Sequence, residues 1–293
     1  MDLDVKGGGS PEGLVARILK VEPALAPPIP IEMLCKQFDI VDIREHETDS
    51  FEGALITDPD RHSGIILVNK ASHKFRQRFT IGHELGHFLI PAHKPSSDQG
   101  FQCTRADMLR QSAKPNDRRA QMEVEANKFS SLILIPPPFL RIEFRKQPSP
   151  NLEHIPQLAG DFQVSKEAMA RAYAEYHPEQ VAIVITQNGQ VRRSYRNRIK
   201  FPFIQIQRGR NVPRGSVFHR GPHKAGVASN ICECIPDLWI EVKRGQPAPT
   251  LFEQVYPQQN GFALILLHLE QQDEDEAAEE ADLQRSWQPK FRR

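Results

Sequence analysis

The chain has little of what would place it in a membrane or outside the cell. Only four cysteines, Cys35, Cys103, Cys232 and Cys234, occur in its 293 residues, too few for the disulfide framework that small secreted domains depend on. No apolar run approaches the roughly 18 residues that a spanning helix needs. The first residues, Met-Asp-Leu-Asp-Val-Lys-Gly-Gly-Gly-Ser, contain no apolar signal core. The expectation is a cytoplasmic protein. An excess of one charge is also missing. The formal net charge is +1, so no global basic field argues for non-specific nucleic-acid binding. Cys232 and Cys234 form a lone C-x-C, a weak metal signal, and are read as reduced structural thiols. No internal repeat is present.

What is present is concentrated in one stretch, Arg76-Gln-Arg-Phe-Thr-Ile-Gly-His-Glu-Leu-Gly-His-Phe-Leu-Ile90. Its centre, His83-Glu-Leu-Gly-His87, is an H-E-x-x-H pattern. Two histidines four residues apart on a helix are separated by about 40° around the axis, so both imidazoles reach one metal ion. Glu84 lies beside them, placed to take a proton from metal-activated water. The flanks read as a buried helix, apolar over most of its circumference. Gly82 and Gly86 each weaken it by roughly 1 kcal/mol relative to alanine. Their spacing of four predicts a second element packed closely against that strip. Pro91 ends the helix.

A catalytic zinc needs a third protein ligand. His93 has the zincin spacing, but that pattern requires a glycine at a turn where this chain has Ile90 and Pro91. The better candidate is Glu123, in Gln121-Met-Glu-Val-Glu-Ala-Asn-Lys-Phe-Ser-Ser-Leu-Ile-Leu-Ile-Pro136. On a helical wheel Glu123, Ala126, Asn127, Ser130 and Leu134 share one face, and Glu125 points to the opposite side. Small Ala126 and Ser130 complement the Gly82/Gly86 strip. Asn127, one turn beyond Glu123, is read as a polar partner behind the metal ligands. A glutamate ligand with this spacing is a thermolysin-like arrangement. Cys103 falls between the two ligand segments. Its thiolate is able to occupy the open zinc position, but a buried structural thiol is the preferred reading.

At Arg76-x-Arg-Phe-Thr-x-x-His-Glu-Leu-Gly-His and Glu123-x-x-Ala-Asn-x-Phe-x-x-x-Leu-x-x-Pro136 the chain resembles the ImmA/IrrE family of bacterial metallo-endopeptidases. Pro30–Ile40 and Gly64–Asn69 share the resemblance, which covers roughly residues 27–180. It departs from the family at Gly82, Ser131 and Ile133, none a proposed ligand. The resemblance implies a hydrolase that cleaves helix-turn-helix repressors and so releases stress-response or mobile-element genes. Zinc on His83, His87 and Glu123 is the expected cofactor, with manganese able to occupy such a site in vitro. The alternative is a DNA-binding transcriptional regulator with a structural zinc site.

The expected fold is α+β: a zincin-like, thermolysin-like core with a small antiparallel sheet and an active-site helix, a helix-turn-helix-like segment, and a β-rich C-terminal domain. Residues 1–26 read as a flexible lead, with Pro11–Val21 able to form a short helix. Residues 27–145 are the peptidase domain, 146–178 the helical segment, 179–270 the β-rich domain and 271–293 a charged tail. Strands are expected at 40–45, 51–57 and 64–68, the last as an edge that pairs with substrate. Residues 94–120 read as irregular, with a helix near 104–111. In 155–176, Lys166 and Arg171 are the only basic residues for DNA contact, so a helical bundle completing the core is preferred. Further strands are expected at 181–186, 191–195, 199–207, 239–242 and 262–269.

Overall fold

The computed structural model describes residues 9–58, 60–95, 100–242 and 248–270. The first eight residues of the lead and the charged tail lie outside them. Packing divides the chain into two compact units, Met1–Lys146 with His154–Tyr176, and Gln147–Glu153 with His177–Arg293. None of the described helices is long and apolar enough to cross a membrane. The architecture is α+β in both sequence and structure.

The first unit opens with α1 (Pro11–Val21), so most of the segment read as a flexible lead that is described here is helical. Ser10 caps it by accepting from the Gly13 amide, and Pro11 occupies its first turn. Leu14, Val15 and Ile18 are buried, on the side that meets α5. Helix α2 (Ile31–Gln37) buries Ile31, Leu34 and Cys35. Strands β1 (Ile40–His46), β2 (Gly53–Thr57), β3 (Gly64–Asn69) and β4 (Gly100–Cys103) form a sheet in the order β1-β3-β2-β4.

Two expectations fail in this sheet. It is mixed and not antiparallel: β2 and β3 form a hairpin, which turns β3 parallel to β1. Side-chain alternation reports which face is buried but not which way a strand runs. Nor is β3 an edge, since β1 and β2 flank it. The segment read as irregular supplies β4, which covers β2 and becomes the edge on that side.

Helix α3 (Lys74–Leu89) lies against β2 and β3, and α5 (Arg118–Leu134) packs along α3. Between them, α4 (Arg105–Met108) is a single turn closed by a capping box of Thr104 and Asp107. Helices α6 (Pro137–Lys146), α7 (His154–Asp161) and α8 (Lys166–Tyr176) complete the unit. Gln163 adopts a positive φ of 52° in the α7–α8 turn, and Ser165 caps α8 through the Ala168 amide. Met169, Ala170 and Tyr173 are buried, Lys166, Glu167, Arg171 and Glu175 exposed. The outer face of α8 therefore mixes both charges.

The second unit is an antiparallel five-stranded sheet of β5 (Gln180–Gln187), β6 (Gln190–Arg196), β7 (Cys232–Cys234), β8 (Leu251–Pro257) and β9 (Phe262–Leu269), in the order β6-β5-β9-β8-β7. Residues 199–207 are not a strand. Phe201 and Ile204 are buried as core plugs, with one bridge between Ile204 and Ile240. The apolar pattern of β8 is interrupted by a charged residue, Glu253, at a buried position. That carboxylate is buried and accepts from the Ser216 hydroxyl and the Trp239 indole, the latter at 3.2 Å.

Candidate metal centre

Helix α3 is built to be approached. A Cβ on Gly86 would meet the Ala126 backbone at 3.3 Å, and one on Gly82 would sit 2.7 Å from Ser130 Oγ. Ser130 donates to the Phe79 carbonyl at 2.7 Å, which locks the two helices in register. This contact sets Glu123 opposite His83 and His87. The three are buried with Glu84: both histidines and Glu84 are 0% exposed and Glu123 4%. Their C-terminal end is held by Arg61, whose guanidinium donates to the carbonyls of His87, Ile90 and Pro91 at 3.0, 2.9 and 3.1 Å.

The ligand atoms converge. His83 Nε2 lies 3.1 Å from His87 Nε2 and 3.2 Å from Glu123 Oε2, and His87 Nε2 lies 3.6 Å from the same oxygen. Asn127 stands behind His83. Its amide nitrogen donates to the Asp107 and Arg110 carbonyls at 2.9 and 3.0 Å, so its oxygen faces His83 Nδ1 at 2.9 Å and accepts. His83 thus carries a proton on Nδ1, which makes Nε2, facing the cluster, the nitrogen available to a metal. Burial holds the His87 imidazole down at about 3, which keeps it neutral. Glu123 Oε2 and Glu84 Oε1 are buried without a hydrogen-bond partner. Two imidazole nitrogens and two carboxylates, with carboxylate oxygens left unpartnered, closing on one buried point call for a cation among them. The donor set therefore fits a metal ion, and two imidazoles with a carboxylate suit zinc.

Cys103, from β4, is the fourth member of the cluster. Its Sγ lies 3.6 Å from His87 Nε2 and donates toward Glu84 Oε2 at 3.8 Å. It is the buried thiol the sequence reading preferred, yet it also faces the ligands. Burial, with Glu84 and Glu123 nearby, pushes the thiol well above its ordinary range. The Phe101 ring, on the same strand, stacks on His87 with centroids 4.6 Å apart.

Glu84 is less committed: Oε2 takes the long contact from Cys103, and Oε1 has no hydrogen-bond partner. Burial raises its carboxyl to about 7, against the pull of His83 and with the Glu123 carboxylate adding to the rise. Gly53 of β2 leaves it room, since a Cβ there would lie 2.6 Å from Glu84 Oε1. Neither Gly53 nor Arg61 carried any local sequence signal. Glu125 corrects the helical wheel. Its side chain does not simply turn away but reaches His93, discussed below.

Three comparisons bear on this site. No curated protein matches the chain. A solved structure titled Mycobacterium tuberculosis transcriptional regulator matches with a TM-score of 0.54 at 15% identity, covering 88% of this chain and 75% of that one. At that identity the likeness is one of fold. The family model described as IrrE N-terminal-like domain (Peptidase_M78) matches residues 35–173, which contain α3, β4 and α5. This match, over just under half of the chain, supports the ImmA/IrrE resemblance of residues 35–173.

Proposed function

We propose that the chain is a zinc-dependent endopeptidase in which His83, His87 and Glu123 hold the ion and Glu84 is the general base. One observation carries the reading: two imidazole Nε2 atoms and a carboxylate oxygen meet at a buried point, beside a glutamate that has no hydrogen-bond partner for Oε1. When bound, zinc supplies a water acidified toward a pKa of about 7 and polarises the peptide carbonyl. Glu84 accepts the proton of that water and returns it to the leaving amine. Burial, which favours the protonated form of Glu84, helps it hold that proton until it is returned. Asn127 keeps His83 in the ligating tautomer.

The substrate class follows from the ImmA/IrrE resemblance: a helix-turn-helix repressor. The decisive experiment uses the purified chain, zinc, and a candidate helix-turn-helix repressor from the same genome, read by intact mass. Wild type is expected to make a discrete cut. Glu84→Gln should keep its metal and lose the cut, whereas Glu123→Ala should lose the metal. Full cleavage by Glu84→Gln would refute the assignment.

A second reading, a DNA-binding regulator with a structural zinc, is favoured by Cys103. Four protein ligands describe a closed structural site, and the fold relative is titled a transcriptional regulator. Against it stands Glu84, a buried carboxylate for which a closed site has no use. A mobility shift on promoter DNA that chelation abolishes, with no cleavage, would support this second reading.

A further inference from the structure

Behind His87, on the side away from Glu123, a second chain of side chains runs outward. His93 Nδ1 lies 3.0 Å from His87 Nδ1, and His93 Nε2 lies 3.0 Å from Glu125 Oε2. His93 is 1% exposed, although it follows the end of α3. Its amide donates to the Ile90 carbonyl at 3.1 Å, and Arg61 grips the same turn through the Ile90 and Pro91 carbonyls. The ring is thus held in place by backbone as well as by its partners.

The proton count along this chain has one consistent solution for neutral imidazoles. A carboxylate facing His93 Nε2 requires a proton on that nitrogen. His93 Nδ1 is then a lone pair and must accept, so the proton between the two rings belongs to His87 Nδ1. That leaves His87 Nε2 proton-free, on the side that faces His83 and Glu123. The opposite assignment sets a lone pair against the Glu125 carboxylate and a proton where the metal belongs.

We propose that Glu125 and His93 form a hydrogen-bonded relay that fixes His87 as the metal-binding tautomer and orients its ring. Both are positioning residues, and the inference rests on the metal-centre reading above. It makes the two ligating imidazoles alike in principle and different in construction. His83 is set by one amide, locked by two carbonyls. His87 is set by a two-residue chain that begins at a carboxylate with 45% of its side chain exposed.

The test measures zinc affinity by competition with a chromophoric chelator, and the His87 tautomer by nitrogen NMR of the metal-free protein. His93→Leu fills the space without a hydrogen bond and should lower affinity roughly 10- to 100-fold, the usual effect of removing a partner behind a ligand. His93→Asn, whose amide oxygen can accept from His87 Nδ1, should restore most of it. Glu125→Ala alters a partly exposed residue and cannot be confused with misfolding; its affinity should fall about tenfold. In wild type His87 should carry its proton on Nδ1, and in His93→Leu the Nε2–H form should gain population. Unchanged affinity in both His93→Leu and Glu125→Ala, or an Nε2–H His87 in wild type, overturns the relay while leaving the metal centre standing. A wild type that takes up no zinc overturns the metal centre and the relay with it.

Discussion

Glu84 meets opposite demands with and without a cation beside it. Its folded pKa is raised from 4.5 to about 7 by burial. A raised carboxyl stabilises the fold in its protonated form; that contribution is complete below the unfolded pKa and is lost as pH rises through 7. Glu84→Gln stays neutral throughout. In chelated protein it should therefore be more stable than wild type at pH 8, by on the order of 3 kcal/mol, and equal to it near pH 4. Zinc should narrow the gap, because a nearby cation favours the ionised carboxylate. Urea unfolding at the two pH values measures this, and equal stabilities at pH 8 would count against a buried charge. Cys103 makes a separate demand. It shares the cluster with three ligands, and a tetrahedral ion with four protein donors has no corner left for water. In the endopeptidase reading the thiol competes with water for that corner. Cys103→Ala should then keep stoichiometric zinc on its three remaining donors and cleave faster than wild type. The cobalt-loaded wild type should show a thiolate charge-transfer band that the variant lacks. Loss of zinc with no gain in cleavage would instead speak for a closed structural site.

At the scale of elements, the site depends on β2 crossing α3 at Gly53. A Cβ added there would run into Thr80 Cγ2 and lie 2.6 Å from Glu84 Oε1 and 3.1 Å from Met108 Cε. Gly53→Ala should cost about 1–3 kcal/mol of stability through overpacking. It should also push Glu84 aside, so that metal content stays at wild-type level while turnover falls. Undiminished cleavage would show that Glu84 can yield without losing its function. The α3–α5 pairing was legible beforehand, because local spacing encodes it. Gly82 and Gly86 on one helix, Ala126 and Ser130 on the other, place Glu123 opposite the two histidines. The crossing at Gly53 was not legible, since it joins residues distant in sequence with no periodic mark. The same holds for β4, whose four residues are too short to show alternation and, among the described residues, pair only with β2. Strand direction and edge position failed for that reason too: both are decided by pairing between segments, not within one. Residues 199–207 failed differently, for their apolar side chains fill a core without joining a ladder.

For the molecule as a whole, a β-rich C-terminal region was legible from the apolar runs of β5 and β9, while β7 and β8 were not, one too short and the other interrupted by buried Glu253. The burial of the candidate metal centre bears on what the proposed endopeptidase could cut. His83, Glu84 and His87 are 0% exposed, Cys103 is 1% and Glu123 4%. A peptide cannot reach these atoms unless some part of their cover gives way. The nearest strand with an open edge is β4, which carries Cys103 and Phe101 over the cluster. An extended segment that paired with this edge would bring its backbone to the site and could shift Cys103 as it did so. Such coupling makes cleavage conditional on recognition, because an unfolded chain that pairs weakly leaves the cover in place. The expected behaviour is therefore narrow: one or two cuts, in a flexible loop or frayed helix of a small repressor. Casein-like unfolded proteins should survive the same incubation. Intact-mass analysis of both substrates, with Glu84→Gln as the blank, decides between selectivity and general digestion. Broad degradation of casein by wild type would mean that the buried centre opens without a specific partner, and the regulatory role should then be dropped in favour of a housekeeping peptidase.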